Sequence, residues 1–129
     1  MKNIKWLTLI LLLNFNLNAD SFDACYKKAK STADNIACID KEYKFYDKKL
    51  NIAYKKIRAK LSSEPKELKY LKEAQKAWII YRDKKCKFEG YPMRNGTGEL
   101  LIVYGCKTRE TKRRAKELED IVDELKNGV

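Results

Sequence analysis

The sequence predicts an all-α fold: a small bundle of about four helices tied by disulfide bonds. Apolar residues recur every three or four positions over most of the 129-residue chain, which is the period of a helix with one buried face. Four cysteines are available for cross-links, and only one segment is rich in glycine. These observations favour long helices over strands, with two long antiparallel helices at the centre of the bundle.

The first nineteen residues have the layout of a secretory signal peptide. Lys2 and Lys5 flank the start of an apolar segment, and the small residue Ala19 marks the expected cleavage site. A membrane anchor is the alternative, but three asparagines between positions 14 and 18 leave the apolar run too short to span a bilayer. We therefore expect residues 1–19 to be removed and residues 20–129 to form one domain. That domain is expected to be periplasmic or secreted, and not transmembrane.

The chain is strongly basic, with 29 Lys and Arg against 18 Asp and Glu and a formal net charge of +11. Loss of the signal peptide removes two lysines and no acids from this +11, which leaves +9. Such a surface favours anionic partners. In an exported protein these would be envelope lipid, polysaccharide or an acidic protein face, and nucleic acid is not expected. The alternative needs no ligand, because interspersed lysines also keep helices soluble.

The four cysteines are predicted to form disulfides, since an even number in an exported chain indicates a disulfide framework. Three pairings are possible. We favour Cys25–Cys38 and Cys86–Cys106, because each joins neighbours across a short connection. A zinc site is the alternative, but the chain has no Cys-x-x-Cys pair and no His. No metal or cofactor is expected.

Helix boundaries follow from capping residues and from Pro65, whose missing N–H costs little in the first turn of a helix. Each predicted start has a Ser or Asp side chain that can accept a backbone hydrogen bond. A short connection makes the second and third helices antiparallel neighbours, so the stripes of inward-facing residues on the two helices are expected to face each other. The first three predicted helices are Phe22 to about Lys30 capped by Ser21, Asn35 to Leu61 capped by Asp34, and Pro65 to about Phe88 capped by Ser63.

Residues 89–98 form the one clear loop, and a fourth helix follows it. The segment from Leu100 to Tyr104 has strand propensity, but a lone strand has nothing to pair with. We assign it to the start of the fourth helix, irregular near Gly105 and ending near Lys126.

The third helix carries an unusual inward stripe that mixes polar and large residues at steps of three and four. We expect its polar members to meet those of the second helix, because a buried Arg needs a carboxylate and buried amides need partners. The favoured interpretation is an interhelical polar network that fixes the register of the two helices. The alternative is a polar binding site. The members are Asp47, Asn51, Gln75, Trp78 and Arg82.

Catalysis is not expected. The absence of His excludes the Ser-His-Asp and Cys-His arrangements, and oxidised cysteines would provide no thiolate. The acids lie among basic residues, as Asp83 does before Lys84 and as Glu110 does four before Arg114. Such acids are typical of surface ion pairs and not of a facing carboxylate pair in a cleft. We predict a protein that is not an enzyme.

The motif Asp47-x-x-Leu50-Asn51-x-x-Tyr54, followed by Gln75-x-x-Trp78-Ile79-x-Tyr81-Arg82-Asp83-x-x-Cys86, resembles the LprI-like lysozyme-inhibitor domain of exported bacterial proteins. The resemblance extends from about Cys25 to Leu118, through Cys106 and Thr111-x-x-Arg114. The loop departs from it, because Asn95-Gly96-Thr97-Gly98 stands where a Gly-Gly-Ser-like run is common. The resemblance implies a small helical exported domain and, for some members, inhibition of lysozyme.

Two functional hypotheses follow. In the first, a protruding loop tied at its base by Cys86–Cys106 enters the cleft of lysozyme or another glycan-cleaving enzyme, whose catalytic carboxyl groups attract an arginine. The residues assigned to this contact are Tyr91, Arg94 and Asn95, because Tyr and Arg often anchor interfaces. In the second, the protein is a basic envelope module that binds anionic lipid or polysaccharide without catalysis. An ordinary surface loop is the alternative to the first.

Overall fold

The computed structural model describes residues 17–128, and side chains from residue 21 onwards. The predicted signal peptide lies outside the described residues except for its last three positions, which belong to the first helix. All regular secondary structure of the described chain is helical, which confirms the all-α prediction. Its elements are α1 (Leu17–Lys28), α2 (Thr32–Lys60), α3 (Pro65–Glu89), a 3₁₀ turn (Tyr91–Met93) and α4 (Thr97–Asn127).

Several predicted helix starts are wrong, while Pro65 does occupy the first turn of α3 as expected. Ser31 caps α2, and Asp34 acts from the third position of the helix by accepting hydrogen bonds from backbone N–H groups of residues 30 and 31 at 3.0 Å. This reciprocal capping box satisfies more of the backbone N–H groups that lack a partner at the start of the helix than Asp34 alone could. Ser21 lies inside α1, and the N-cap of α3 is Glu64 and not Ser63. α4 continues through Gly105 without a break.

Helices α2, α3 and α4 alternate in direction, so α2 and α4 run parallel. Lys49 pairs with Glu119 at 3.2 Å, and nearer the N-termini Lys112 lies over the Tyr46 ring at 5.1 Å. Residue numbers therefore increase in the same direction along α2 and α4. α3 runs antiparallel to α4, because residue 75 faces residue 114 while residue 85 faces residue 110.

The core lies mainly between α2 and α4, which corrects the expectation that the stripes of α2 and α3 form the central pair. Ala53 and Ala115 are small enough to let the two backbones approach closely, whereas the inward stripe of α3 is occupied by Gln75 and Arg82. Leu71 and Trp78 of α3 contact only the margin of the core, and Trp78 is half-buried instead of central. The buried cluster comprises Leu50, Ala53, Ile57, Ala115, Leu118 and Val122.

α1 packs on the outside of α2. The Cys25–Cys38 disulfide joins them with a Cα–Cα distance of 5.8 Å, and Phe22 packs edge-on against Phe45 with ring centroids 5.5 Å apart. The Tyr26 hydroxyl donates to Glu42 at 2.8 Å, and burial together with this carboxylate raises the pKa of Tyr26. α1 is thus held to α2 by a disulfide, by the aromatic contacts of Phe22 and by a hydrogen bond.

Candidate functional site

The second disulfide organises the end of the bundle where α3 meets α4. Cys86 and Cys106 are fully buried and joined with a Cα–Cα distance of 5.4 Å. Both predicted pairings are therefore confirmed, and all four thiols are used in disulfides, which leaves none for zinc. Because the bridge closes the segment between two helices, it fixes the base of the loop that connects them.

Beside this disulfide, a ladder of opposite charges links α3 to α4. Lys85 contacts Glu89 at 2.5 Å and Glu110 at 3.0 Å, and Arg109 contacts Glu89 at 2.8 Å. Lys85 and then Arg109 hold the pKa of Glu89 below its ordinary range, and Glu89 followed by Glu110 raises the pKa of Lys85. Arg113 also pairs with Glu110 at 3.1 Å. Three of these five residues come from α4, so the ladder resists rotation of either helix.

Glu110 corrects a sequence-based expectation. It is buried and pairs with Lys85 and Arg113, whereas the sequence suggested a surface pair with Arg114. Arg114 instead donates to the Gln75 side chain at 3.1 Å and pairs with Glu117 at 2.8 Å. The tertiary contact with α3 explains the difference, since a spacing within one helix says nothing about a cation on its neighbour.

The polar network predicted between α2 and α3 lies mostly between α3 and α4. Arg82 is buried, pairs with Asp83 at 3.0 Å, donates to Thr111 at 3.3 Å, and stacks over the half-buried Trp78 at 5.0 Å. Its contact with α2 is the Tyr43 hydroxyl at 3.4 Å. Gln75 is buried and accepts from Arg114, as described above. Arg114 also lies 5.8 Å from the centroid of the Trp78 ring, so the structure links Gln75 to Trp78 and Arg82 through Arg114.

It does not bring Asp47 and Asn51 to them. The exposed Asn51 side chain donates to the backbone carbonyl and the carboxylate of Asp47, at 2.9 and 3.1 Å. The carboxylate that serves Arg82 is its neighbour Asp83, which Lys107 also contacts at 3.3 Å. Burial of Asp83 opposes ionisation, but Arg82 and Lys107 outweigh it and hold the pKa of Asp83 below its ordinary value.

The loop between α3 and α4, residues 90–96, is here called the tip. It begins at Gly90, which lies so close to α4 that a Cβ there would meet Cγ2 of Val103 at 2.7 Å. Consecutive backbone bonds then close the turn: Met93 N–H to the Gly90 carbonyl at 3.1 Å and Gly96 N–H to the Met93 carbonyl at 3.0 Å. The tip is therefore a compact turn resting on α4 and not an open strand of chain.

Two of the predicted contact residues form a stacked pair on the tip. The Arg94 guanidinium lies 5.1 Å from the centroid of the Tyr91 ring, and Tyr91 is 63% exposed. Met93 beside them is 53% exposed. Arg94 has no carboxylate at ion-pair distance among the described side chains of residues 21–128. An aromatic face, a thioether and a guanidinium directed at solvent are groups that can bind a carboxylate beside an apolar surface.

Asn95 has a different part in the geometry. Its φ is +66°, in the left-handed region that Asn tolerates better than most residues, and its backbone N–H donates to the Glu99 carboxylate at 2.9 Å. Glu99 lies in the first turn of α4 and so holds the tip from below. Sequence reasoning did not find Glu99 or Met93. The four-residue step from Asn95 to Glu99 was a usable signal for the first.

Among the side chains that the structure describes, those of residues 21–128, no group of three or more acidic or sulfur side chains is placed to hold a metal ion. In the same range, no helix combines the length and apolar composition that crossing a bilayer requires.

Fold and site together define a small disulfide-linked helical domain with an exposed, tethered tip. The family model described as the lysozyme inhibitor LprI matches residues 24–118, and the chain therefore belongs to the LprI lysozyme-inhibitor family. It is also similar to an uncharacterised protein of Rhizobium meliloti (strain 1021), with 33% identity over 132 aligned positions that cover 94% of this chain and 95% of the relative. No solved structure matches significantly.

Proposed function

We propose that this protein is an exported binding protein that inhibits a lysozyme by inserting the tip into its substrate cleft. Family membership supports the class of target. The observation that carries the mechanism is the solvent-directed Arg94–Tyr91 pair on a loop fixed by a buried disulfide. A lysozyme cleft contains two catalytic carboxyl groups, and an arginine is the side chain best suited to bind a carboxylate in bidentate fashion.

The rigidity of the tip favours tight binding. A loop that must be ordered on binding loses affinity, whereas a preorganised loop does not. Here the Cys86–Cys106 bridge, the Glu99 bond to Asn95 and the contact of Gly90 with Val103 fix the tip before any partner arrives. Arg94 is held over Tyr91, so its guanidinium keeps a defined direction. In the cleft, the aromatic ring would occupy apolar surface while the guanidinium reaches the acids.

Net charge sets the conditions for the test. Without the predicted signal peptide the chain carries a formal charge of +9, that is, +11 less Lys2 and Lys5, which repels a basic lysozyme at long range, and salt screens that repulsion. Inhibition should therefore be measured at low and at moderate ionic strength. We expect association to be faster at about 0.15 M salt than at about 0.02 M, where the Debye length is longer.

The direct test follows the lysis of a bacterial cell-wall suspension by lysozyme with and without the exported protein. We expect slower lysis with the wild-type protein and at least about tenfold weaker inhibition with Arg94→Ala, the loss typical of a central interface arginine. Arg58→Ala is the matched control, because Arg58 also stacks on a tyrosine, Tyr54 at 6.0 Å, but lies on α2 away from the tip. No protection at either salt concentration would remove the inhibitor proposal. Full inhibition by Arg94→Ala would remove the tip mechanism.

A further inference from the structure

The outer face of α3 carries exposed apolar side chains that the bundle does not use. Tyr70 is 55% exposed, Ile80 63%, Tyr81 58% and Phe88 76%. Tyr70, Ala77, Tyr81 and Phe88 are separated by seven, four and seven residues, so they share one side of the helix, opposite Gln75, Arg82 and Cys86, and Ile80 lies about a quarter-turn round the helix from them. At 1.5 Å per residue, the stripe from 70 to 88 is about 27 Å long. Single exposed apolar residues are ordinary, but an aligned series indicates an interaction surface.

Lysines flank the same stripe. Lys66 lies 6.0 Å from the centroid of the Tyr70 ring, and the exposed Lys84 falls on the same side between Tyr81 and Phe88. Lys69 and Lys87 are exposed further round the helix. The acids beside this stripe are the exposed Glu67 and Glu73, of which Glu73 faces Lys69 at 3.9 Å, and the four lysines outnumber them. The outer face of α3 is therefore both aromatic and basic.

We propose that the outer face of α3 is a docking surface for an anionic lipid bilayer, on which the helix lies parallel to the membrane plane. Tyrosine and phenylalanine insert at the level of the headgroups, and lysine stems extend along apolar surface while their ammonium groups meet lipid phosphates. The face is convex, because it is the outside of a single helix, and its apolar groups are spaced between charges. A flat, deformable, anionic interface fits such a surface, whereas a partner protein would need a matching groove.

This function is separate from inhibition by the tip. The outer face contains neither Arg94 nor the tethering cysteines, so the two surfaces can be removed independently. In this arrangement Gln75, Arg82 and the rest of the bundle lie on the side of α3 away from the lipid. Membrane docking would concentrate the protein at an envelope surface, and lysozyme inhibition would not require it.

The experiment is cosedimentation of the exported protein with vesicles of pure phosphatidylcholine or of phosphatidylcholine with about one third phosphatidylglycerol. We expect binding to the anionic vesicles that weakens as salt rises. Tyr81→Ser with Phe88→Ser should weaken it at least about tenfold, because two inserted rings are lost. Lys66→Glu with Lys84→Glu should do the same by charge reversal. Thermal unfolding of each variant checks that these exposed substitutions leave the fold intact.

The matched control is Lys48→Glu with Lys55→Glu, which makes the same change in net charge on exposed positions of α2. It should retain most of the binding. Equal losses in the two charge-reversal pairs, or unchanged binding by the serine pair, would show adsorption by net charge alone and overturn the proposal. The proposal would also be overturned if an acidic polysaccharide displaced the protein from the vesicles and bound the Tyr81→Ser, Phe88→Ser variant as well as the wild type. Arg94→Ala should bind vesicles normally, and the serine pair should still inhibit lysozyme, so each proposal can fail alone.

Discussion

Arg82 on α3 donates a hydrogen bond to the hydroxyl of Thr111 on α4 across 3.3 Å, and Thr111 is completely buried. The same guanidinium reaches the Tyr43 hydroxyl of α2 at 3.4 Å. One buried cation therefore contacts all three long helices. Such a group favours one register, because sliding any helix by a residue would leave a buried donor unpaired.

Substitution of Arg82 is expected to be among the more damaging single changes in the α3–α4 interface. Arg82→Ala should lower the free energy of unfolding by about 2–4 kcal/mol, because it strands polar partners and removes the stem beside Trp78. Thr111→Val, which keeps the shape but removes the acceptor, should cost about 1–2 kcal/mol. Urea unfolding measures both, with the exposed Arg58→Ala as a control expected within about 0.5 kcal/mol of wild type. A silent Arg82→Ala would contradict the register role.

The contact of Gly90 with Val103 predicts opposite effects of alanine at two glycines. Gly90→Ala should destabilise by about 1–3 kcal/mol, since its Cβ would lie 2.7 Å from a stiff valine side chain. Gly105 lies inside α4, and a Cβ there would come no closer than 3.9 Å to a neighbouring group, the Arg109 guanidinium. Gly105→Ala should therefore stabilise the protein by about 0.5–1 kcal/mol. Differential scanning calorimetry would report the two signs. Adding Val103→Ala to Gly90→Ala should recover part of the loss, and an additive double variant would argue against the steric explanation.

The two disulfides should differ in what they stabilise. Replacing Cys86 and Cys106 by Ala should lower global stability by roughly 3 kcal/mol, the scale for a closed loop of this length, and should weaken inhibition by releasing the tip. Replacing Cys25 and Cys38 should mainly release α1, whose main contacts among the described residues are with α2. Hydrogen exchange separates the outcomes, with faster exchange at residues 90–96 in the first case and 21–28 in the second. Identical exchange patterns would contradict this division.

Stability should depend on pH in a defined direction. The folded-state pKa values of Asp83 and Glu89 are lowered. Their contribution to the free energy of unfolding is therefore complete above their unfolded-state pKa values, near 4, and is lost as the pH falls through their folded-state pKa values. The pKa of Lys85 is raised, so its contribution is complete below about 10 and is lost at higher pH. The free energy of unfolding should therefore be flat between about pH 5 and 9 and decline below about 4. Glu89→Gln should make the acid decline shallower, and an unchanged slope would remove Glu89 from this account.

Local chemistry in the sequence was sufficient to predict the helices, the disulfide pairing and the position of the tip. Periodicity and Pro65 located the helices to within a few residues, and the short spacing of the cysteines indicated their pairing, because these signals act between near neighbours in the chain. The sequence did not settle the cap of α2, since Ser31 and Asp34 can each cap this helix and only the backbone geometry shows that they act together. Burial of Gln75 and Arg82 was also predictable from their shared face with Cys86.

The tertiary structure alone decided which helix faces which. A stripe on α3 could serve α2 or α4, and Ala53 with Ala115 let α2 and α4 pack closest, which moved Trp78 to the margin of the core. The partners of Arg82 and Glu110 changed with that choice, from Asp47 to Asp83 and Thr111, and from Arg114 to Lys85 and Arg113. The physical reason is that residue spacing fixes directions within one helix, whereas contacts between helices depend on the shapes and volumes of all the faces that compete for burial.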